Sequence, residues 1–125
     1  MEPSNRIVLL LDDSELILRM LTRLLKRRFD AVLTATNTGQ AAALLRNNKV
    51  TTLVCDHGIS CPSGGELIAH WRKRYPSIEK TVVLTGADVE SIEIPPEVDT
   101  LLSKTSKVSE IITEIGMPGK KKLFR

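Results

Sequence analysis

The sequence is poor in aromatic residues, in cysteine and in long apolar runs. Aromatics make up 3% of the 125 residues, so interleaved rings on which bases could stack are missing. Two cysteines, Cys55 and Cys61, fall far short of a disulfide-stapled secreted domain, and we expect both to be reduced. No apolar run approaches the ~18 residues of a membrane span, and the first residues lack a signal-peptide pattern. We therefore expect a cytoplasmic protein without a membrane segment.

An excess of one charge sign is also missing, because the formal net charge is only +3. The basic residues are nevertheless clustered, in the segment from Arg19 to Arg28 and again from Lys120 to Arg125. Cations near the C-terminal end of a helix complement its dipole, and charged tails are usually solvated, so we do not expect nucleic-acid binding. Length and a hydrophobic content of 42% favour one domain over residues 1–118, followed by a basic tail over 119–125.

Apolar runs and helical periodicities alternate along the chain. The runs predict strands over residues 7–11, 31–36, 51–56, 80–86 and 100–104. Helical spacing predicts helices from Ser14 to about Arg28 and over residues 38–48, 66–75 and 107–116. Between the last two strands, Pro95 and Pro96 allow only a short helix. This alternation implies right-handed crossovers and a doubly wound α/β fold, in which a five-stranded parallel sheet carries helices on both faces.

Two of the predicted helices have apolar stripes that we expect to face the core. The stripe of the first helix comprises Ile17, Met20, Leu21, Leu24 and Leu25, and that of the last helix comprises Val108, Ile111, Ile112 and Ile115. A stripe of this width is typical of a helix that packs on a sheet.

Polar side chains stand where the predicted strands end. Asp12 and Asp13 follow the first strand, Asp56 ends the third, Thr85 lies at the end of the fourth and Lys104 ends the fifth. In this architecture functional groups gather outside the carboxyl ends of the strands. Adjacent carboxylates repel and need a positive neighbour. Three carboxylates at one edge suit Mg²⁺, and a lysine and a hydroxyl beside them would complete a cradle for a transferred phosphoryl group.

In the order of these elements and landmark residues, the sequence resembles the receiver domains of two-component response regulators. The resemblance covers nearly the whole chain, to about Gly116, and implies the flavodoxin-like receiver fold. It implies that Asp56 accepts a phosphoryl group from a histidine kinase or a histidine phosphotransfer protein. It also implies that Thr85 senses this group and that Lys104 pairs with it.

The same resemblance implies a metal site and a mode of action. Mg²⁺ is the implied cofactor, with Asp12, Asp13, Asp56 and the main-chain carbonyl of Gly58 as its ligands. The stretch "GGEL", Gly64 to Leu67, also fits the family's Gly-x-Glu-Leu start of the third helix. The implied protein is a signalling phosphoacceptor and not an enzyme beyond self-phosphorylation and self-dephosphorylation. It would act by contact with another protein, either as a stand-alone receiver or as part of a longer chain.

Several positions depart from the family's pattern. Ile59 and Ser60 stand where Met-Pro is common, and Thr105 follows the lysine in place of a proline. Leu101 replaces the aromatic residue that moves inward on activation, and the stretch between the last two strands is shorter than usual. We therefore expect a shortened fourth helix and a weakened readout on the face that it shares with the fifth strand and the last helix. A phosphorylation-independent interaction module of receiver shape is the alternative function.

Two further interpretations have less support in the residues. A zinc site would use Cys55, His57, Cys61 and His70, but their spacing matches no common zinc pattern. Strand alternation points Cys55 into the core, where Trp71 is also expected, and we expect His70 at the surface. A phosphatase-like hydrolase would need a second acid just after its nucleophilic aspartate, and this chain has none there.

Overall fold

The computed structural model describes residues 5–59 and 63–119, and these residues form five strands and four helices, with a helix between successive strands except between the last two. The elements are β1 (Ile7–Leu11), α1 (Glu15–Leu25), β2 (Ala31–Ala35), α2 (Thr38–Asn47), β3 (Thr52–Asp56), α3 (Gly64–Arg74), β4 (Lys80–Thr85), β5 (Thr100–Ser103) and α4 (Val108–Gly116). All neighbouring strands are parallel, in the order β2-β1-β3-β4-β5. The doubly wound five-stranded fold predicted from the sequence is thereby confirmed. Ser60, Cys61 and the basic tail from residue 120 lie outside the described residues.

The sheet has a separate hydrophobic core on each face. Alternate residues of β1 show the division, because Val8 and Leu10 lie in the core under α1 and α4, whereas Leu9 and Leu11 lie in the core under α2 and α3. The second core also contains Trp71, as the sequence predicts. Burying one such aliphatic side chain contributes about 1.5–3 kcal/mol, so both faces hold the strand ends in place.

Helix α1 is shorter than predicted, and only part of its predicted apolar stripe faces the core. Ser14 caps its first turn by accepting a hydrogen bond from the Ile17 amide, but the helix ends at Leu25, three residues before the predicted Arg28. Leu18, Leu21 and Leu25 are buried. Met20 and Leu24 are 37% and 39% exposed, so the prediction that they face the core was wrong. The stripe is wider than the contact with the sheet, and these two residues lie on its outer side.

A similar correction applies to the start of α4. Val108, its first residue, is 38% exposed beside Leu24, although Ile111, Ile112 and Ile115 are buried as predicted. At its other end α4 is tightly held. The buried ammonium group of Lys80 donates hydrogen bonds to the carbonyl oxygens of Glu114, Met117 and Pro118, and the Arg6 guanidinium donates to that of Gly116. These cations bind the carbonyl groups that a helix leaves unpaired at its C-terminal end.

The connection between β4 and β5 contains a single 3₁₀ turn, Val89–Ser91, where the sequence predicts a shortened helix. One guanidinium group orders the far part of this connection. Arg72 of α3 donates hydrogen bonds to the Asp99 carboxylate at 2.9 Å, to the Glu97 carbonyl at 2.8 Å and to the Thr81 hydroxyl at 3.1 Å. The main chain before β5 is therefore fixed by charge and hydrogen bonding instead of by helix packing.

Gly64 starts α3 where the helix comes closest to the end of β3. A Cβ atom at this position would collide with the main-chain carbonyl oxygen of Asp56. Main chain cannot move aside as a flexible side chain can, so only glycine fits. The chain thereby couples the position of α3 to the strand end that carries Asp56.

We predict that Gly64→Ala lowers the free energy of unfolding by about 1–3 kcal/mol, because the added methyl group overpacks a main-chain contact. The matched control is Gly39→Ala in the first turn of α2, where the new Cβ would be 3.4 Å from the Asn37 Oδ1 atom, an ordinary contact. That control is expected to be neutral or up to about 1 kcal/mol stabilising. Urea unfolding measures both, and equal stability of the two variants would contradict the assigned contact.

Candidate functional site

Three carboxylates meet at the carboxyl ends of β1 and β3. One ligand oxygen from each of Asp12, Asp13 and Asp56 lies within 4.8 Å of the others, although Asp56 is far from the pair in sequence. Their burial differs: Asp12 is only 3% exposed, Asp56 is half-buried and Asp13 faces solvent. The cluster thus has a fixed inner side and an open outer side.

Asp12, the inner aspartate of the cluster, is held by hydrogen bonds with the main chain of β2 and of Ser14. The Asp12 amide donates to the Ala35 carbonyl of β2 at 3.1 Å, which continues the sheet ladder past β1. Its Oδ1 atom accepts a hydrogen bond from the Ser14 amide at 2.9 Å. Ser14 therefore orients the carboxylate with its main chain and caps α1 with its side chain. Asp13, the outer residue of the pair, faces solvent, while one of its carboxylate oxygens stays within 4.8 Å of the ligand oxygens of Asp12 and Asp56.

The positive partner of the cluster is Lys104, which follows β5. Its Nζ atom lies 2.8 Å from Asp12 Oδ2 and 2.9 Å from Asp56 Oδ1, and its amide donates to the Thr85 carbonyl at 2.7 Å. Burial by itself lowers the pKa of the Lys104 ammonium, but hydrogen bonds and charges from Asp12 and Asp56 outweigh it, so the net shift is upward. The lysine is a fixed counterion that spans three strand ends.

Thr85 and Gly58 complete the rim without joining this ion-pair network. Thr85 is 2% exposed, and its hydroxyl oxygen accepts a hydrogen bond from the Ala87 amide at 3.0 Å and makes no described bond to Asp56. This leaves the hydroxyl hydrogen available as a donor. Gly58 lies beside the cluster, since a Cβ atom built on it would be 3.8 Å from Asp56 Oδ2.

The chemistry of the donor set fits a hard divalent cation. Three carboxylates and one ammonium group leave a local charge of about −2, and every candidate ligand is an oxygen atom. Among the described residues, no other group of three or more acidic, histidine or cysteine side chains lies close enough to hold an ion. The solvent-facing side of Asp13 leaves room for the water ligands that small divalent ions retain.

The zinc interpretation receives no support in the described part of the chain. Cys55 is fully buried in the core under α2 and α3. Burial raises the pKa of its thiol strongly, and the nearby Asp56 and Asp12 carboxylates raise it further, so the thiolate that zinc requires is disfavoured. His70 is exposed on α3, as predicted, and Cys61 lies outside the described residues.

Comparison with solved structures identifies the fold to which this site belongs. A response regulator protein from Burkholderia pseudomallei, solved with a phosphorylated aspartic acid, a calcium ion and citrate, is 28% identical over 89% of this chain and 66% of its own, with a TM-score of 0.72. The signal receiver domain of an HD domain-containing protein from Pseudomonas fluorescens Pf-5 is 27% identical over 89% and 91%, with a TM-score of 0.75. The chain has the receiver fold of response regulators. The resemblance stated from the sequence is confirmed.

A more distant structure agrees in fold alone. The N-terminal signal receiver domain of a two-component response regulator from Bacteroides fragilis is 17% identical over 90% of this chain and 94% of its own, with a TM-score of 0.76. Protein-family models and curated proteins, in contrast, give no match. Across the described part of this receiver fold, none of the helices has the length and apolar character needed to cross a bilayer.

The sequence did not reveal every residue that builds the rim. The pairing of Lys104 with Asp12 was missed, since the lysine was expected to meet a phosphoryl group and not a carboxylate. The amides of Ser14 and Ala87, which orient Asp12 and Thr85, were missed as well. Main-chain donors carry no signature in residue type, although each stands two residues after the side chain that it binds. That spacing, typical of an Asx or hydroxyl turn, is the signal that could have found them.

We predict that Asp13→Asn weakens binding of a divalent cation, titrated as Mg²⁺, and changes the free energy of unfolding by less than about 0.5 kcal/mol. Asp13 is exposed and has no ion pair in the described chain, so its removal costs little. Asp12→Asn should lower stability by about 1–3 kcal/mol in EDTA, because it removes a buried carboxylate from the Lys104 ion pair. Calorimetric titration and urea unfolding separate the two effects. A loss of folding in Asp13→Asn would show that Asp13 is structural.

A second prediction concerns pH. Since the pKa of Lys104 is raised in the folded protein, its ion pairs stabilise the fold fully below the unfolded value of about 10.4 and lose this effect as pH rises through the folded value. The difference in unfolding free energy between the wild type and Lys104→Met, measured in EDTA, should therefore be constant from pH 7 to 9 and shrink above about pH 10.5. A difference that falls already between pH 7 and 9 would contradict the upward shift.

Proposed function

We propose that this chain is a cytoplasmic phosphoacceptor receiver domain of a two-component response regulator, in which Asp56 takes a phosphoryl group from a histidine kinase or a histidine phosphotransfer protein. One observation carries the proposal: the Asp56 carboxylate lies at a strand end, 2.9 Å from the Lys104 ammonium group and beside the acidic pair Asp12 and Asp13. A nucleophilic carboxylate, a fixed cation and an open acidic cluster are the parts that phosphoryl transfer requires. The phosphorylated aspartic acid of the Burkholderia relative supports the same chemistry.

In the proposed reaction, a carboxylate oxygen of Asp56 attacks the phosphorus atom of the donor. The bond from phosphorus to oxygen forms as the bond from phosphorus to the donor's imidazole nitrogen breaks, and the imidazole leaves with the electron pair. Lys104 is already placed to bind a phosphoryl oxygen, and the free hydroxyl hydrogen of Thr85 is a second donor. Mg²⁺, held by Asp12, Asp13, Asp56 and the Gly58 carbonyl, would supply positive charge to the phosphoryl oxygens.

The alternative, a phosphorylation-independent interaction module, has two observations in its favour. The connection between β4 and β5 contains only the 3₁₀ turn Val89–Ser91, and Leu101 of β5 is an aliphatic residue packed against the core. The absence of a full helix from this connection affects the readout of a signal more than it affects the chemistry at Asp56. A hydrolase is not favoured, because His57 and Gly58 follow Asp56 and provide no second carboxylic acid.

We predict that acetyl phosphate with Mg²⁺ adds one phosphoryl group to the wild-type protein and none to Asp56→Asn, because Asp56 is paired with Lys104 and more exposed than Asp12, which is almost fully buried. The matched control is Asp30→Asn, which changes an exposed aspartate at the opposite edge of the sheet and should leave labelling unchanged. Intact-protein mass spectrometry counts the groups added. Labelling that persists in Asp56→Asn would refute the assignment, and absence of labelling in the wild type would favour the interaction module.

A second prediction concerns the readout. Binding of fluoroberyllate, a phosphoryl mimic, should shift the amide resonances of residues near Asp56 and Thr85 and change those of α4 only slightly. Lys80 and Arg6 hold the C-terminal end of this helix, and Leu101 cannot repeat the movement of an aromatic side chain. Two-dimensional NMR with and without the mimic measures this. Large changes along Val108–Gly116 would show that the domain switches in the ordinary way.

A further inference from the structure

A cleft of about 470 Å³ lies between α1 and the edge strand β2. Its lining includes three cations, Arg19, Arg23 and Lys26, together with the hydroxyl residues Thr22, Thr34 and Thr36, and also Leu18 and Glu15. None of these residues belongs to the Asp56 site. The volume is in the range of small-molecule pockets.

The three cations are brought together by the helix and are not neutralised by it. Their spacing of four and then three residues places Arg19, Arg23 and Lys26 on one side of α1, where like charges repel. Unlike Arg72 and Lys104, they have no carboxylate within ion-pair distance in the described residues. The helix dipole favours a cation in the last turn, which accounts for Arg23 but not for Arg19, one turn earlier.

Hydroxyl groups form the wall opposite these cations. Val32, Thr34 and Thr36 are spaced two residues apart, so their side chains lie on the same side of the sheet. Because Val32 packs in the core under α1, both threonines lie on the α1 side of β2. The Thr36 hydroxyl is already bonded to the Gln40 side chain. The Thr22 Oγ1 atom, in contrast, is buried and has no hydrogen-bond partner in the described chain. An unpaired buried hydroxyl costs free energy, and a turn of the Thr22 side chain toward the cleft would let an acceptor there recover it.

We propose that this cleft binds a small phosphate-bearing anion, with a diphosphate group as its recognised part. Three cations against the single carboxylate of Glu15 leave a charge of about +2, which matches a multiply charged anion. Phosphate oxygens are acceptors only, as the cations and a free hydroxyl donor require. No aromatic residue lines the cleft, so a nucleobase has no stacking partner and recognition rests on the phosphate groups. This proposal is independent of the function proposed for Asp56.

The test is a titration of the whole chain in EDTA with inorganic pyrophosphate, followed by NMR amide shifts and calorimetry. EDTA removes any metal that could draw pyrophosphate to the acidic cluster. Shifts are expected at Arg19–Lys26 and Thr34–Thr36. The double variant Arg19→Gln/Arg23→Gln should bind at least about tenfold more weakly, since it loses two charge-assisted hydrogen bonds to phosphate oxygens. Glu15→Gln should bind more tightly, because it removes the opposing charge.

Arg46→Gln is the matched control, because it removes one exposed cation from α2 and should leave the affinity unchanged. Urea unfolding of each variant shows that the fold is retained. Adenosine diphosphate, used as a second probe, should bind about as tightly as pyrophosphate. The proposal is overturned if the double variant and Arg46→Gln weaken binding equally, if the shifts centre on Lys104, or if only the nucleotide or only a single-stranded oligonucleotide binds.

Discussion

The rim of the sheet depends on the ion pairs that the Lys104 ammonium group makes with two carboxylates. It lies within 3 Å of one carboxylate oxygen at the end of β1 and of another at the end of β3, and it belongs to the residue that follows β5. Asp12 is almost fully buried, which is costly for a carboxylate unless a cation pairs with it. The lysine therefore permits this burial, and it ties the edge strand β5 to the centre of the sheet.

The same ion pairs would also prepare the site for the proposed phosphoryl transfer. A phosphoryl group brings further negative charge to an already acidic cluster, and an unprepared site would have to move a cation toward it. Here the cation already lies 2.9 Å from the Asp56 oxygen and is held there by its main-chain bond to Thr85. Charges placed before reaction need little reorganisation during it. The arrangement that stabilises the resting fold is thus one that also suits phosphoryl transfer.

Strand ends could be predicted from the sequence because a run of buried residues and the polar residue after it are both visible in one dimension. The parallel topology then brings Asp12, Asp56 and Lys104 to one edge. Helix rotation could not be predicted as well, since periodicity shows that α1 has an apolar side but not where contact with the sheet ends, and Met20 lies beyond it. The Arg72 contacts could not be predicted, because two of its partners are the main-chain carbonyl oxygens of Glu79 and Glu97, which carry no signature in residue type.

The contacts of the connection between β4 and β5 divide it into two unequal parts. Near the amino-terminal edge of the sheet, Arg72 joins Thr81, Glu97 and Asp99 in one hydrogen-bonded group. Near the rim, residues 86–88 are exposed and a Cβ atom added at Gly86 would meet nothing within 4 Å, so this part of the connection faces solvent and has few packing contacts. Local opening is least costly where such contacts are few. A change at Asp56 would therefore move the segment next to Thr85 at a low cost in free energy. The hydrogen bonds of Arg72 hold the part of the connection that precedes β5 in place.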